Sequence, residues 1–345
     1  MKNLIPPIQL GPFQLEHPFI LAPMAGITHS AFRRLMRRLQ SSMVISELIS
    51  ADGIEYVSHR TLDLLGFHEE ERVLGIQIFG EDTGILTRAC QKVESTGADF
   101  VDLNLGCPVP KVVNKGAGSA MCRDPIALGK TLTAMVKSVK IPVTIKIRTG
   151  WDSTARNALD VVHAATDAGV SWVAIHGRTR AQAYSGEADW DFMGNIKAKS
   201  SIPILGNGDI TTPEGAVARV KDYGMDAVLI GRGALRNPFI FEQSLALWQG
   251  ESYAKPSGDR YLELIQDLRG LLQETHPLKN AMIHARKFLA WYATGFPGCH
   301  EFRSRVFGMT DPVAFWEESE AFFERSSRDR DMQFLAQPFL MGGHG

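Results

Sequence analysis

Residues Asp102 to Lys111 read DLNLGCPVPK and set a single thiol, Cys107, in a Gly/Pro-rich turn directly after the apolar run ADFVDLN. A cysteine of ordinary pKa, about 8.5, is mostly thiol at neutral pH and can deliver a proton without special activation. A lone cysteine is more often inert apolar filling. Here its company favours chemistry, because polar or Gly-rich segments recur along the chain, each after a short apolar run. LAPMAGIT carries the small edge Pro23, Met24 and Ala25, against which a flat ring can lie, and Gln77 offers an amide that donates and accepts. Asn104 precedes the thiol by three residues. Lys146 lies in PVTIKI, where an ammonium is costly to desolvate unless it meets an anion. His176 and Arg178 end WVAIHGR. Asn207, Gly208 and Asp209, then Gly231 and Arg232, form two turns whose backbone N–H groups can approach phosphate oxygens. Taken singly, each has a bland reading: Gln77 could satisfy a loop, and Lys146 could pair with Asp102.

The elements that must position these residues are legible as alternation. Eight short apolar runs, FILA, MVIS, VLGIQIF, DFVDLN, PVTIKI, WVAIH, PILGN and DAVLIG, alternate with segments whose apolar residues recur at three- and four-residue spacing. That pattern predicts an α/β fold, a (β/α)8 TIM barrel over residues 1–249, with the candidate residues on the loops at the carboxyl ends of the strands. GAGSAM at Gly116 to Met121 lacks the third glycine of a dinucleotide fingerprint, so no Rossmann domain is expected. GESYAKPSGD then reads as a linker. Helical periodicity over Arg260 to Thr275, Leu278 to Ala293 and roughly Val313 to Glu324 predicts an all-helical unit over residues 256–330, followed by a patternless tail, 331–345.

Composition, 44% hydrophobic and 22% charged with a net charge of -1, is that of an ordinary soluble protein and excludes a chain that is basic throughout. Four cysteines without a CxxC or a Cys/His cluster give neither a disulfide framework nor a zinc site, so no metal is expected. Nor does any stretch of about 18 apolar residues call for a membrane. The expectation is a cytoplasmic enzyme with no obligate protein partner. Local charge says more. Between His276 and Arg305, five cations face the single carboxylate Glu301, interleaved with Phe288, Trp291, Tyr292, Phe296 and Phe302; Arg33, Arg34, Arg37 and Arg38 make a second basic cluster. Cations mixed with rings suit a nucleic acid. An amphipathic helix with core aromatics and solvated charges has the same pattern.

LAPMAGIT, Gln77, DLNLGCP with Lys111, Lys146, HGRTR, NGDI and GRGALRNPFIF resemble the tRNA-dihydrouridine synthase family in order and spacing from Leu21 to Phe241, and KFLAWY with the helical unit resembles that family's RNA-binding domain. Phe288 departs from the pattern, standing where related bacterial sequences are expected to carry a histidine. The resemblance implies an FMN-dependent enzyme that reduces uridine in tRNA to 5,6-dihydrouridine with electrons from NADPH. It implies FMN contacts at Pro23 to Ala25, Gln77, Lys146, His176, Asn207 to Asp209 and Gly231 to Arg232, with Cys107 as catalytic acid. Asn104 and Arg178 are expected to hold the uracil or its phosphate. The target base must leave its stack at a cost of a few kcal/mol; phosphate contacts from Arg33 to Arg38 and from His276 to Arg305 are expected to offset it. The competing readings are a flavin-dependent dihydroorotate or dihydropyrimidine dehydrogenase acting on a free pyrimidine, and an RNA chaperone on an inert barrel.

Overall fold

The computed structural model describes residues 6–326, so the expected tail and the last residues of the helical unit lie outside the described chain. Its strands are β1 (Ile8–Leu10), β2 (Phe13–Leu15), β3 (Phe19–Leu21), β4 (Val44–Ile45), β5 (Ile49–Ser50), β6 (Leu74–Phe79), β7 (Phe100–Leu105), β8 (Val143–Arg148), β9 (Val173–His176), β10 (Ile204–Asn207) and β11 (Ala227–Ile230). Strands β3, β4 and β6 to β11 pair in parallel in the order β4-β3-β11-β10-β9-β8-β7-β6, and β4 pairs back to β6, which closes the sheet into the eight-stranded barrel. The eight apolar runs are its eight strands.

Two features escaped the alternation. The MVIS run is not one uninterrupted strand: β4 pairs Ile45 with Gly75, while β5 resumes with Ile49 opposite Ile78, one residue out of register. Three residues, 46–48, thus oppose two, a bulge that re-aims side chains at the rim. The second is the antiparallel β1–β2 hairpin, which turns at Gly11 with φ +54°. Its Leu10 and Leu15 join Ile20, Phe100, Trp172, Ala174, Leu205 and Ala227 in a separate apolar cluster.

Strand residues alternate between two environments because successive side chains point to opposite faces. Phe19 and Leu21 belong to the large core that includes the surrounding helices, whereas Ile20 and Ala22 belong to the smaller cluster with Phe100. Up β7 the second set runs Phe100, Asp102, Asn104, so the apolar layer gives way to a polar one toward the carboxyl end. The Phe100 ring stands 4.9 Å from Trp172 and lies across Gly75, where an added Cβ would fall 2.2 Å from the ring. Gly75→Ala is therefore expected to cost about 1–3 kcal/mol by overpacking, read as a lowered urea midpoint with an unchanged m-value.

After the barrel come helices Gly258–Thr275, Leu278–Tyr292, Cys299–Gly308 and Pro312–Arg325; the third was not marked by periodicity. They correct the arginine face expected for RNA and the aromatic part of the second basic segment. Arg33 is 2% exposed and donates to Glu71, itself fully buried, and to the carbonyl of Thr28. Arg34 bridges Glu70 and Glu274, Arg38 bridges Glu70 and Asp267, and Arg37 donates to the carbonyl of Ser41. Arg34, together with Arg38, holds the Glu70 carboxyl down to about 2. The arginine face of helix Ser30–Arg38 is thus an ion-pair seam that includes Asp267 and Glu274 of helix Gly258–Thr275, not a free cationic surface. Phe288, Tyr292, Phe296 and Phe302 are buried, Phe288 stacked on Phe32 at 4.9 Å and Phe302 on Phe322 at 4.1 Å. Those rings are core and cannot receive bases.

Candidate active site

At the carboxyl ends of the barrel strands lies a cavity of about 730 Å³, within the roughly 300–1,000 Å³ common for small-molecule and cofactor sites. Every residue singled out by sequence lines it: Pro23, Met24, Ala25, Gln77, Asn104, Cys107, Lys146, His176, Arg178, Asn207, Gly208, Asp209, Gly231 and Arg232.

The thiol is held by its own strand end. Asn104 Oδ1 accepts the N–H of Cys107 at 2.9 Å and that of Gly106 at 3.2 Å, an Asx-type turn that folds the loop back over β7. Ser119 Oγ donates to the Cys107 carbonyl at 2.9 Å. Gly118 packs behind it at φ +60°, where a Cβ would meet that carbonyl at 3.2 Å. Burial pushes the Cys107 thiol up, against the opposing pull of the Val109 backbone and the Arg148 charge. The group is therefore protonated through neutral pH, and Arg148 stands where it would stabilise a thiolate once the proton has gone.

The next layer is a chain of amides and carboxylate. Thr144 Oγ1 donates to Asp102 Oδ1 at 2.6 Å, Gln77 Nε2 to Asp102 Oδ2 at 2.7 Å, and Asn104 Nδ2 to Gln77 Oε1 at 2.9 Å. Both Asp102 oxygens are thereby engaged, and no ion pair joins Asp102 to Lys146 among the described residues. Among the described residues Lys146 has no hydrogen bond or salt bridge. Burial lowers its pKa to about 8, the Arg148 charge adding to that effect and Asp102 opposing it. Burial and the charges of Arg148, Lys146, Arg178 and Arg232 keep His176 well below its ordinary value, hence neutral.

Opposite lie the two Gly-rich turns. Asn207 Nδ2 donates to the Leu229 carbonyl at 2.8 Å and ties the turns together. Gly208 adopts φ +129°, and a Cβ there would lie 2.6 Å from Ala188 Cβ; at Gly233 it would lie 2.2 Å from the Ile210 carbonyl oxygen. Arg178, which lines the cavity, also has a structural task. Only 3% exposed, it donates to Asp209 Oδ1 at 2.9 Å and to the carbonyls of Ser185 and Gly186, so its guanidinium fastens the 179–188 loop to Asp209. Asn104 likewise serves the Cys107 turn with its carbonyl oxygen.

The sequence reading missed Arg148, Tyr184, Leu48, Arg219 and Arg236, all of which line the cavity. Arg148 was within reach: it is the next residue on the Lys146 face of β8. Tyr184 carries no periodic signal. It stands between two guanidinium groups, 5.8 Å from Arg148 and 5.2 Å from Arg232.

The family model described as dihydrouridine synthase (Dus) matches residues 20–327. The chain is 40% identical over 318 residues to tRNA-dihydrouridine synthase B of Pseudomonas putida, covering 92% of this chain and 94% of that one. It is 36% identical over 318 residues to a probable tRNA-dihydrouridine synthase of Rickettsia bellii, covering 92% and 98%. Among solved structures, histamine dehydrogenase from Rhizobium sp. 4-9 has a TM-score of 0.56 at 11% identity, over 95% of this chain and 64% of that one. The 6-hydroxypseudooxynicotine amine oxidase from Pseudomonas geniculata N1 has 0.54 at 15%, over 76% and 52%. This chain thus matches less than two thirds of either structure, and at such identities the likeness is one of fold.

Proposed function

The chain belongs to the dihydrouridine synthase family, and we propose that it carries out the reduction of the C5–C6 bond of uridine in tRNA with FMN held at the barrel mouth and NADPH as electron donor. It is a flavin-dependent oxidoreductase that forms dihydrouridine in tRNA, and the reading as a dehydrogenase of free pyrimidines is not supported. One observation carries the residue assignments: a protonated thiol and a lysine without a protein partner open into one cavity of cofactor size. The lining fits FMN, with an apolar edge at Pro23, Met24 and Ala25, hydrogen-bonding groups at Gln77 and His176, and Gly-rich turns beside Arg232 and Arg236 for the phosphate.

Bound there, a flavin would supply hydride chemistry for C6 of uracil. Lys146 would hold the negative charge of its reduced ring. Gln77 can still donate its second amide hydrogen into the cavity. Cys107 delivers the proton to C5, and Arg148 stabilises the thiolate left behind. Asn104 positions the thiol, and the 179–188 loop, fastened by Arg178, presents Tyr184 to the base. We assign this chemistry to the barrel, expected over residues 1–249, and its support to the helical unit, expected over 256–330, as far as the described residues 6–326 carry them.

With the Arg33–Arg38 seam internal, the cations assigned to tRNA phosphates are those near the mouth. Lys111 and Lys115 follow the Cys107 turn, and Arg123 and Arg180 each lie over the Trp151 ring, at 4.8 and 4.6 Å from its centroid. None of the four makes an ion pair among the described residues. The double variant Arg123→Gln/Arg180→Gln is expected to flatten the dependence of log kcat/KM for tRNA on log salt by about 2, roughly 1 per cation, while NADPH reduces the bound flavin at the unchanged rate. An unaltered slope would move the RNA contacts elsewhere. Free uracil or orotate is expected to support no turnover; brisk turnover with either would overturn the tRNA reading.

A further inference from the structure

Lys287 lies in the segment whose cations were expected on RNA, yet its side chain runs inward. From helix Leu278–Tyr292 its ammonium donates to the carbonyl of Gly26, in the loop that carries Pro23, Met24 and Ala25 along the cavity wall. The N–H of the same Gly26 donates to Glu47 Oε2 at 2.7 Å. Glu47 belongs to the bulge at 46–48, so the register slip that broke the second barrel strand is what aims it here. Gly26 itself has φ +67°, and nothing surrounds it within 4 Å of where a Cβ would stand. Ile27 and Thr28 beyond it are buried and their N–H groups donate to the Met24 carbonyl, whereas Gly26 itself is exposed and is held by two charged side chains, one from the barrel and one from the helical unit. Two residues on, Thr28 Oγ1 accepts the Met24 N–H at 3.1 Å and ties off the loop's far end. Lys287 is half-buried, burial lowers its pKa with Glu47 opposing, and the Gly26 carbonyl gives its ammonium a partner within the protein.

We propose that Lys287 is a positioning residue through which the helical unit sets the cofactor-facing loop 23–28, so that the docking of that unit and the shape of the flavin site are coupled. The proposal rests on the flavin reading above. It makes one helix cation that reaches the loop, and not the helical unit's outer surface, the link between the unit and catalysis. Glu47 is the barrel's half of the same clamp.

The test uses full-length Lys287→Met, Lys287→Arg and Glu47→Gln proteins with two readouts: FMN affinity of the apoprotein by fluorescence titration, and amide hydrogen exchange across residues 23–28. Lys287→Met is expected to weaken FMN binding about tenfold and to speed exchange in the loop, with helix Leu278–Tyr292 protected as in the wild type. Lys287→Arg, which keeps a donor, should restore most of both, and Glu47→Gln should speed loop exchange from the other side. If Lys287→Met leaves FMN affinity and loop exchange alone but lowers the salt slope of tRNA binding by about 1, Lys287 is a phosphate contact and the proposal fails. If the wild type binds no FMN, the flavin reading falls instead, and loop exchange still decides whether the clamp exists.

Discussion

Cys107→Ala protein is expected to have its flavin bleached by NADPH at the wild-type rate, yet to recover its colour with unmodified tRNA some 10²–10⁴ times more slowly, the range ordinarily lost with a positioned general acid. The split follows from where the sulfur sits. It is fixed by the Asn104 turn and by Ser119, on the wall of the cavity, and among the described residues no hydrogen bond joins it to the groups assigned to the cofactor's ring edge. Removing it leaves the Gln77–Asp102–Thr144 chain and Lys146 intact, so electrons still enter; what is lost is the proton for C5. Serine at 107 should not rescue, because a hydroxyl is far too weak an acid. The pH dependence separates this role from a nucleophile's: with burial raising the thiol's pKa, the competent form persists through neutral pH and is lost only as pH climbs above its ordinary value. A rate that instead rises with pH through that region would mean that the thiolate acts, and equal recovery in the alanine variant would remove Cys107 altogether.

Why so much of the site was readable, and which parts were not, has a topological cause. A parallel barrel puts the carboxyl end of every strand on one rim, so locating eight apolar runs located Gln77, Asn104, Lys146, His176 and Asn207 together without any knowledge of their distances. Residues whose placement depends on partners far along the chain were not readable. Arg33 looks like a surface cation because nothing near it in sequence is acidic; its carboxylate is Glu71, 38 residues on. Phe288 and its neighbouring rings read equally as a core or as base platforms, and only the packing against Phe32 decides. The bulge at 46–48 is a one-residue register slip, which leaves the run of apolar residues unchanged and yet redirects Glu47. Strands of three residues, such as β1 and β2, are too short for alternation to register.

Lys146→Met should move stability and function in opposite directions. The ammonium is buried with no carboxylate bonded to it, and its pKa falls from 10.5 to about 8 on folding. Below pH 8 both folded and unfolded chains hold the proton, and the folded one does so at a penalty of about 3 kcal/mol, taking 1.36 kcal/mol per pH unit. Between 8 and 10.5 the unfolded chain binds the proton that the folded one has released, so this group makes the apoprotein's stability rise with pH across that window. Methionine removes the charge and the dependence with it: relative to wild type, the variant's apoprotein should be about 3 kcal/mol better off at pH 7 than at pH 11, measured by urea unfolding at each pH. FMN binding should show the reverse. The reduced ring is anionic and stabilises the charged lysine, so wild-type affinity for reduced FMN tightens as pH falls toward 8 and levels off below it, while the variant binds the reduced cofactor weakly at every pH and forms dihydrouridine some 10²-fold more slowly, a loss of the size seen when one preorganised electrostatic group is removed. A residue that served only the barrel's packing would lose stability when replaced and would leave the pH dependence of cofactor binding untouched. Gain of one with loss of the other marks a charge held at a stability cost for the ligand it awaits.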